Sequence, residues 1–238
     1  GAGAALLTDY ILTVAVSISS GVAQLVSAFP VLDSYRVVLA VALIMMVMLI
    51  NLRGVKESGI TFAIPTYFFL VMMFTTVIMG FIRYFTGGLG MVANPPPLEV
   101  EALQPLTLFL ILRAFANGTA SITGVEAISN GVTAFKEPHS KNAGITLIWM
   151  SLILGSLLLG ITFLSIQIGA IPAEGETVIS QLVRTIYRGR GLLYILTVSA
   201  TTVILIMAAN TAFADFPRLS ALQASDGFLP RQLTFRGS

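Results

Sequence analysis

Asn117-Gly118-Thr119-Ala120-Ser121-Ile122-Thr123-Gly124 lies in the middle of an otherwise apolar segment. Around it, residues 102–112 and 114–125 are apolar runs divided by Arg113, and residues 127–135 form a third. None of these runs alone reaches the length of about 20 residues that crosses a bilayer as a helix. Taken together, residues 106–135 read as one span broken near 117–124. Gly, Asn, Ser and Thr are poor helix-interior residues, and two closely spaced glycines loosen the hydrogen-bond ladder. A continuous helix with a flexible kink is the alternative. In lipid, a break is tolerable only where the freed backbone groups face protein or a water-filled cavity. Broken helices of that kind build the substrate and ion sites of secondary transporters.

Five more apolar runs flank this segment: residues 6–29, 37–52, 60–82, 144–168 and 192–214. Pro65 marks a kink near the start of the third. Only 10% of the residues are charged, against about 25% in a soluble domain, and the mean hydropathy is +0.91. The fold class is therefore an all-α polytopic membrane protein. The first residues run straight into an apolar helix with no basic segment before them, so they are not a signal peptide. Both ends read as cuts inside a longer protein.

Several function classes lack material. The net charge is +2 and the basic residues are scattered, so no nucleic-acid partner is expected. There is no cysteine and one histidine, His139, which leaves no disulfide framework, thiolate site, triad or zinc cluster. No phosphate-binding glycine loop appears. The chain is read as no enzyme, with no cofactor and with the lipid bilayer as its first partner.

Lys and Arg in the loops set orientation. With the N-terminal end of the first span cytoplasmic, the inner loops hold Arg53, Lys56, Lys136, Lys141, Arg218, Arg231 and Arg236, and the outer loops Arg36, Arg83, Arg184, Arg188 and Arg190. All three lysines then fall inside. Residues 178–187 in the outer segment read as a short helix at the interface.

Charged groups at membrane depth are functional candidates because burying them is costly. Asp9, Tyr10, Thr13, Ser17, Ser20 and Gln24 fall within one sector of about 100° on the first span, a narrow face of oxygen donors on an otherwise Ile, Leu, Val and Ala helix. Hydroxyls also join helices in membranes. That reading is preferred for Ser20 and Gln24, and a solute or ion site for Asp9, Thr13 and Ser17. Thr119, Ser121 and Thr123 add hydroxyls at the break. Glu126 follows, either as a capping carboxylate at a half-helix N-terminus or as a proton-accepting, cation-facing group. Arg113 is placed at the outer surface or in an ion pair. The last span carries Ser199, Thr201, Thr202, Asn210 and Thr211, then Asp215 and Arg218, which form an ordinary helix-end pair or part of a cytoplasmic gate.

Three motifs resemble a known superfamily. Asn51-Leu52-Arg53-Gly54-Val55-Lys56-Glu57-Ser58-Gly59 resembles the inner loop between helices four and five of amino acid–polyamine–organocation (APC) permeases. Gly124-Val125-Glu126 resembles the signature of their broken sixth helix. Ala208-Ala209-Asn210-Thr211-Ala212-Phe213-Ala214-Asp215-Phe216-Pro217-Arg218-Leu219 resembles the end of their eighth. The resemblance implies helices three to eight of the LeuT-like five-plus-five inverted-repeat fold.

Within the superfamily, Thr8-Asp9-Tyr10-Ile11-Leu12-Thr13-Val14-Ala15-Val16-Ser17 is similar to helix three of bacterial KimA-type potassium importers, grouped with the Kup transporters. Residues 116–126 are similar to their helix six. The resemblance implies proton-coupled potassium import across the plasma membrane, with potassium and protons as the transported ions. It implies potassium coordination by Asp9, Tyr10, Thr13, Ser17 and Thr123, with Glu126 binding the ion or carrying the coupling proton. A homodimer of the full-length protein goes with that expectation. An amino acid or polyamine permease of the same fold is the alternative, and a channel-like or non-transporting membrane protein is the second.

Overall fold

The computed structural model describes residues 2–53, 59–95, 105–118, 135–173 and 175–234, with the single positions 128 and 132. The described residues are helical, with no strand. In chain order the helices are α1 (Ala2–Ala28), α2 (Arg36–Leu52), α3 (Gly59–Phe85), α4 (Leu108–Gly118), α5 (His139–Ile168), α6 (Val178–Tyr187) and α7 (Leu192–Ser225). A 3-10 turn over Pro30–Tyr35 precedes α2, and another over Arg231–Thr234 follows α7. Among the described residues five helical stretches are long and apolar enough to cross a membrane: Gly3–Ala28, Pro30–Leu52, Phe62–Phe85, His139–Ile168 and Leu192–Ser225. The protein is a multi-pass, all-α membrane protein.

The chain divides into two compact units, residues 1–96 with 165–238, and residues 97–164. The second holds α4 and most of α5. Thr107 starts α4 by accepting the Leu110 N–H at 3.2 Å. At the start of α5, Asn142 donates to the Lys136 carbonyl at 2.9 Å, and His139 Nδ1 lies against the Phe135 carbonyl.

The first unit is organised by α1 and α7, which pack along each other, with α2 against both. The chain direction of the pair is antiparallel: Gly3 lies beside Gln223 and Gly21 beside Leu205. With no hydrophobic effect between helices in lipid, small residues that let backbones approach are what association depends on. Gly21 is that residue here. A Cβ built on it would sit 3.7 Å from both Leu205 Cβ and the Thr202 carbonyl. On the neighbouring face, Ile18, Val22 and Val26 bury against Val47 of α2 and Ala209 of α7.

The loop before α6 and α6 itself close this unit at the end where α1 finishes and α7 begins, the outer end in the expected orientation. Thr177 caps α6 by accepting the Ser180 N–H, and Arg188 ends it in the left-handed region at φ 59°. The segment forms the expected helix, and its Ser180, Gln181, Leu182, Val183 and Ile186 are buried against the rest of the protein. Two apolar positions a turn apart, Val183 and Tyr187, pack toward Tyr194 and Val198 of α7, and the Tyr187 hydroxyl meets Thr76 of α3 at 2.9 Å.

The last helix passes through Pro217 and continues to Ser225. Proline removes the donor that would bond the Phe213 carbonyl, a defect that packed membrane helices accommodate.

Gly21→Ala is expected to leave stability nearly unchanged, because its methyl meets α7 at ordinary contact distance. Gly21→Leu must push α1 off α7, at a cost of about 1–3 kcal/mol. Thermal melting of the detergent-solubilised full-length protein distinguishes the two.

Candidate functional site

The polar stripe on α1 separates into two halves with different chemistry. The half toward the helix start carries Asp9, Tyr10, Thr13 and Ser17. Asp9 is exposed, Tyr10 and Thr13 are half-buried, and Ser17 is buried. Among the described residues, Asp9 has no ion pair, and Thr13 and Ser17 have no hydrogen bond. Many helical hydroxyls among the described residues, by contrast, are committed to the carbonyl four residues back. Thr8 bonds Ala4, Ser27 bonds Ala23, and Thr197, Thr201, Thr202 and Thr211 of α7 do the same. Of the α7 hydroxyls noted in the sequence, Thr201, Thr202 and Thr211 are therefore occupied locally, and Ser199 forms no hydrogen bond among the described residues. At a rise of 1.5 Å per residue, Asp9 and Ser17 are about 12 Å apart along the axis. Successive oxygens i and i+4 can share one small cation; Asp9 and Ser17 cannot, so the half-stripe offers more than one position along the helix.

In the other half Ser20 is half-buried without a hydrogen bond among the described residues, and Gln24 and Ser27 hold the structure together. Gln24 Oε1 accepts the Thr177 hydroxyl at 3.0 Å, and Ser27 Oγ accepts the Thr177 N–H at 3.0 Å. Ser27 shares the stripe's sector although the sequence reading stopped at Gln24; its spacing three residues beyond Gln24 is the signal that finds it. Tyr194 of α7, fully buried, donates to the Ser27 carbonyl at 3.2 Å and meets the Ser180 hydroxyl at 2.8 Å.

Glu176 anchors this outer network. Its carboxylate takes a two-pronged contact from Arg184, Nε to Oε1 at 3.1 Å and Nη2 to Oε2 at 2.9 Å, and a bond from Ser180 at 2.9 Å. Arg190 approaches the same carboxylate at 3.6 Å and lies over the Tyr194 ring. Arg184 also donates to the Ala93 carbonyl at 3.0 Å, tying in the segment after α3. The side chains of Glu176 and Arg184 are 14% and 19% exposed, so the pair is largely removed from solvent. The sequence reading did not single out Glu176, because a lone carboxylate in a loop carries no signal until its partners eight residues on are folded back over it.

Asp215 and Arg218 pair on α7 at 3.1 Å, with the Asp215 side chain 19% and the Arg218 side chain 70% exposed. A pair whose arginine is this open to solvent contributes little to stability. Thr123 and Glu126, together with residues 119–124 of the expected break, lie outside the described residues. Among the described residues no three His, Asp or Glu side chains form a metal-binding group.

The accessible chemistry of the inner half-stripe is oxygen only: one carboxylate, a phenol and neutral hydroxyls. Such a set suits a weakly hydrated monovalent cation, whose shell is replaced by several oxygen dipoles.

A profile of the family described as amino acid permease matches residues 2–236. The chain is 43% identical over 236 residues, 99% of its length, to the potassium transporter KimA of Bacillus subtilis (strain 168). It spans 39% of that protein's length.

Glu176→Gln leaves Arg184 without its counter-charge and is expected to destabilise the full-length protein by about 3 kcal/mol. Thr177→Val, which removes the cap of α6 and the bond to Gln24, should cost about 1–2 kcal/mol. Removing the Asp215–Arg218 pair, whose arginine is solvent-exposed, should shift stability by under about 1 kcal/mol. Thermal melts of the three variants in one detergent check the order.

Proposed function

The chain belongs to the amino acid permease family, and from that premise we propose that it is part of a potassium transporter of the plasma membrane, importing potassium coupled to protons. The observation that carries the reading is the pairing of an uncompensated carboxylate, Asp9, with the uncommitted hydroxyls of Thr13 and Ser17 on one face of α1. The 43% identity to a potassium transporter over nearly the whole chain supports it.

In this reading Asp9, Tyr10, Thr13 and Ser17 replace the water around potassium at successive positions along α1, with Asp9 balancing the charge. Thr123 contributes a further oxygen. Glu126 binds the ion or carries the coupling proton. A monovalent cation needs several neutral oxygens and few charges, because too many carboxylates would hold it too tightly to release. Alternating access moves one helix bundle against another around the site. Asp215 and Arg218 are placed near the inner end of α7, at the cytoplasmic side of that movement.

The full-length gene is expressed in a bacterium stripped of its own potassium uptake systems, and growth is scored at micromolar potassium. The parent is expected to restore growth, a well-inserted Asp9→Asn variant to fail, and Ser17→Ala to need several-fold more potassium. A parent that inserts correctly and gives no growth moves the assignment to an amino acid substrate.

A further inference from the structure

Two of the motifs that resemble family signatures lie outside the proposed ion site, one at the end of α2 and one in the second half of α7. The structure joins them. Asn51 Nδ2 donates to Asn210 Oδ1 at 2.7 Å and to the Val47 carbonyl at 2.9 Å. Both asparagines are half-buried on helices that are otherwise apolar at this level.

We propose that the Asn51–Asn210 pair is a register lock that positions the oxygen stripe of α1 and so sets which cation it accepts. It rests on the potassium reading above for its substrate. Three facts lead to it. First, the height is right. Gly3 lies beside Gln223 and Gly21 beside Leu205, and extending that antiparallel register puts Ser17 level with Ala209 and Asn210. Second, the pair is mechanically connected to the stripe. Val47, one turn before Asn51, and Ala209, next to Asn210, are both buried against Ile18, the residue after Ser17. Third, the chemistry is directional. Apolar side chains in lipid pack almost as well after sliding by a fraction of a turn, since neither arrangement gains hydrophobic energy over the other. An amide pair hydrogen-bonded across two helices does not, and single asparagines between packed helices specify register for this reason. Ion discrimination through oxygen spacing needs such fixed heights. Asn51 and Asn210 are positioning residues; neither is placed in contact with the ion.

The test uses the full-length protein, with any cysteine outside this chain changed to serine; the chain itself contains none. Gly21→Cys and Leu205→Cys are introduced together, because a Cβ at position 21 lies 3.7 Å from that of Leu205, within disulfide reach. The oxidative cross-linking rate then reports the register of α1 against α7 without any reference to transport. In parallel, the ratio of rubidium to potassium uptake is measured. Both are compared between the parent and Asn51→Leu/Asn210→Leu, in which an apolar pair replaces the two amides. Cross-linking is expected to slow by about threefold, the effect of losing one interhelical hydrogen bond in a membrane, and the uptake ratio to shift. If the double variant does not insert, Asn210→Ala is read in the same two ways, since Asn51 retains its bond to Val47.

An unchanged cross-linking rate overturns the register lock. Slower cross-linking with an unchanged ratio overturns the selectivity role and leaves a helix-joining bond. A parent that carries neither ion sinks the potassium reading instead, and the cross-linking rate still decides the register lock.

Discussion

The close antiparallel contact of α1 with α7 is the constraint on which the first unit depends. In lipid the two helices gain nothing by hiding apolar surface from each other, so the contact rests on shape and on polar bonds across it. Gly21 supplies the shape, lying against the Thr202 carbonyl and Leu205. The bonds sit at the two ends: Gln223 to the Gly3 carbonyl at one, and Tyr194 to the Ser27 carbonyl at the other. Everything else in the unit is placed relative to this pair. The third helix, α2, fills the side where Ile18, Val22 and Val26 face Val47, and α6 covers the outer end through Thr177 and Ser180.

That arrangement explains why one polar stripe can do two jobs. Its residues share a helical face, and sequence periodicity treats them alike. The fold does not. Toward the outer end, the loop before α6 folds onto the stripe, and Gln24 and Ser27 each take a bond from Thr177. Toward the inner end no described residue does this to Thr13 or Ser17. The difference lies in what the rest of the chain brings to each height, and it separates residues that hold the helices together from residues whose oxygens remain available to a ligand.

Legibility followed the range of the interaction. The apolar runs were readable because a bilayer imposes a length on each span, and the face carrying Asp9, Tyr10, Thr13 and Ser17 because helical periodicity is local. The family could be read from three short motifs in order along the chain, and the match over residues 2–236 supports it. What escaped the sequence is what distant segments do to one another. Thr177 lies 153 residues from Gln24, and Asn51 lies 159 from Asn210; neither pair has a spacing rule that would connect it. The back-bonding of Thr197, Thr201, Thr202 and Thr211 was also hidden, since a threonine in an apolar helix reads the same whether it bonds its own backbone or a solute. The continuation of α7 through Pro217 belongs to the same class: proline signals a helix end locally, and packing against α1 carries the helix past it.

The division of polar groups also bears on how such a protein can be stable and still bind an ion. A site for a monovalent cation needs oxygens that are not already satisfied, and unsatisfied oxygens in a membrane weaken the fold that holds them. The structure keeps the two demands apart along α1. The charged and multiply bonded groups, Glu176 with Arg184 and Ser180, are collected at the outer end, where the network joins α1, α6, α7 and the segment after α3. The inner part of α1 is left with the Asp9 carboxylate and the Thr13 and Ser17 hydroxyls, which form no such bonds. Stability concentrated at one end allows the other to remain chemically open, and the amide pair between α2 and α7 is what lies at the boundary between them.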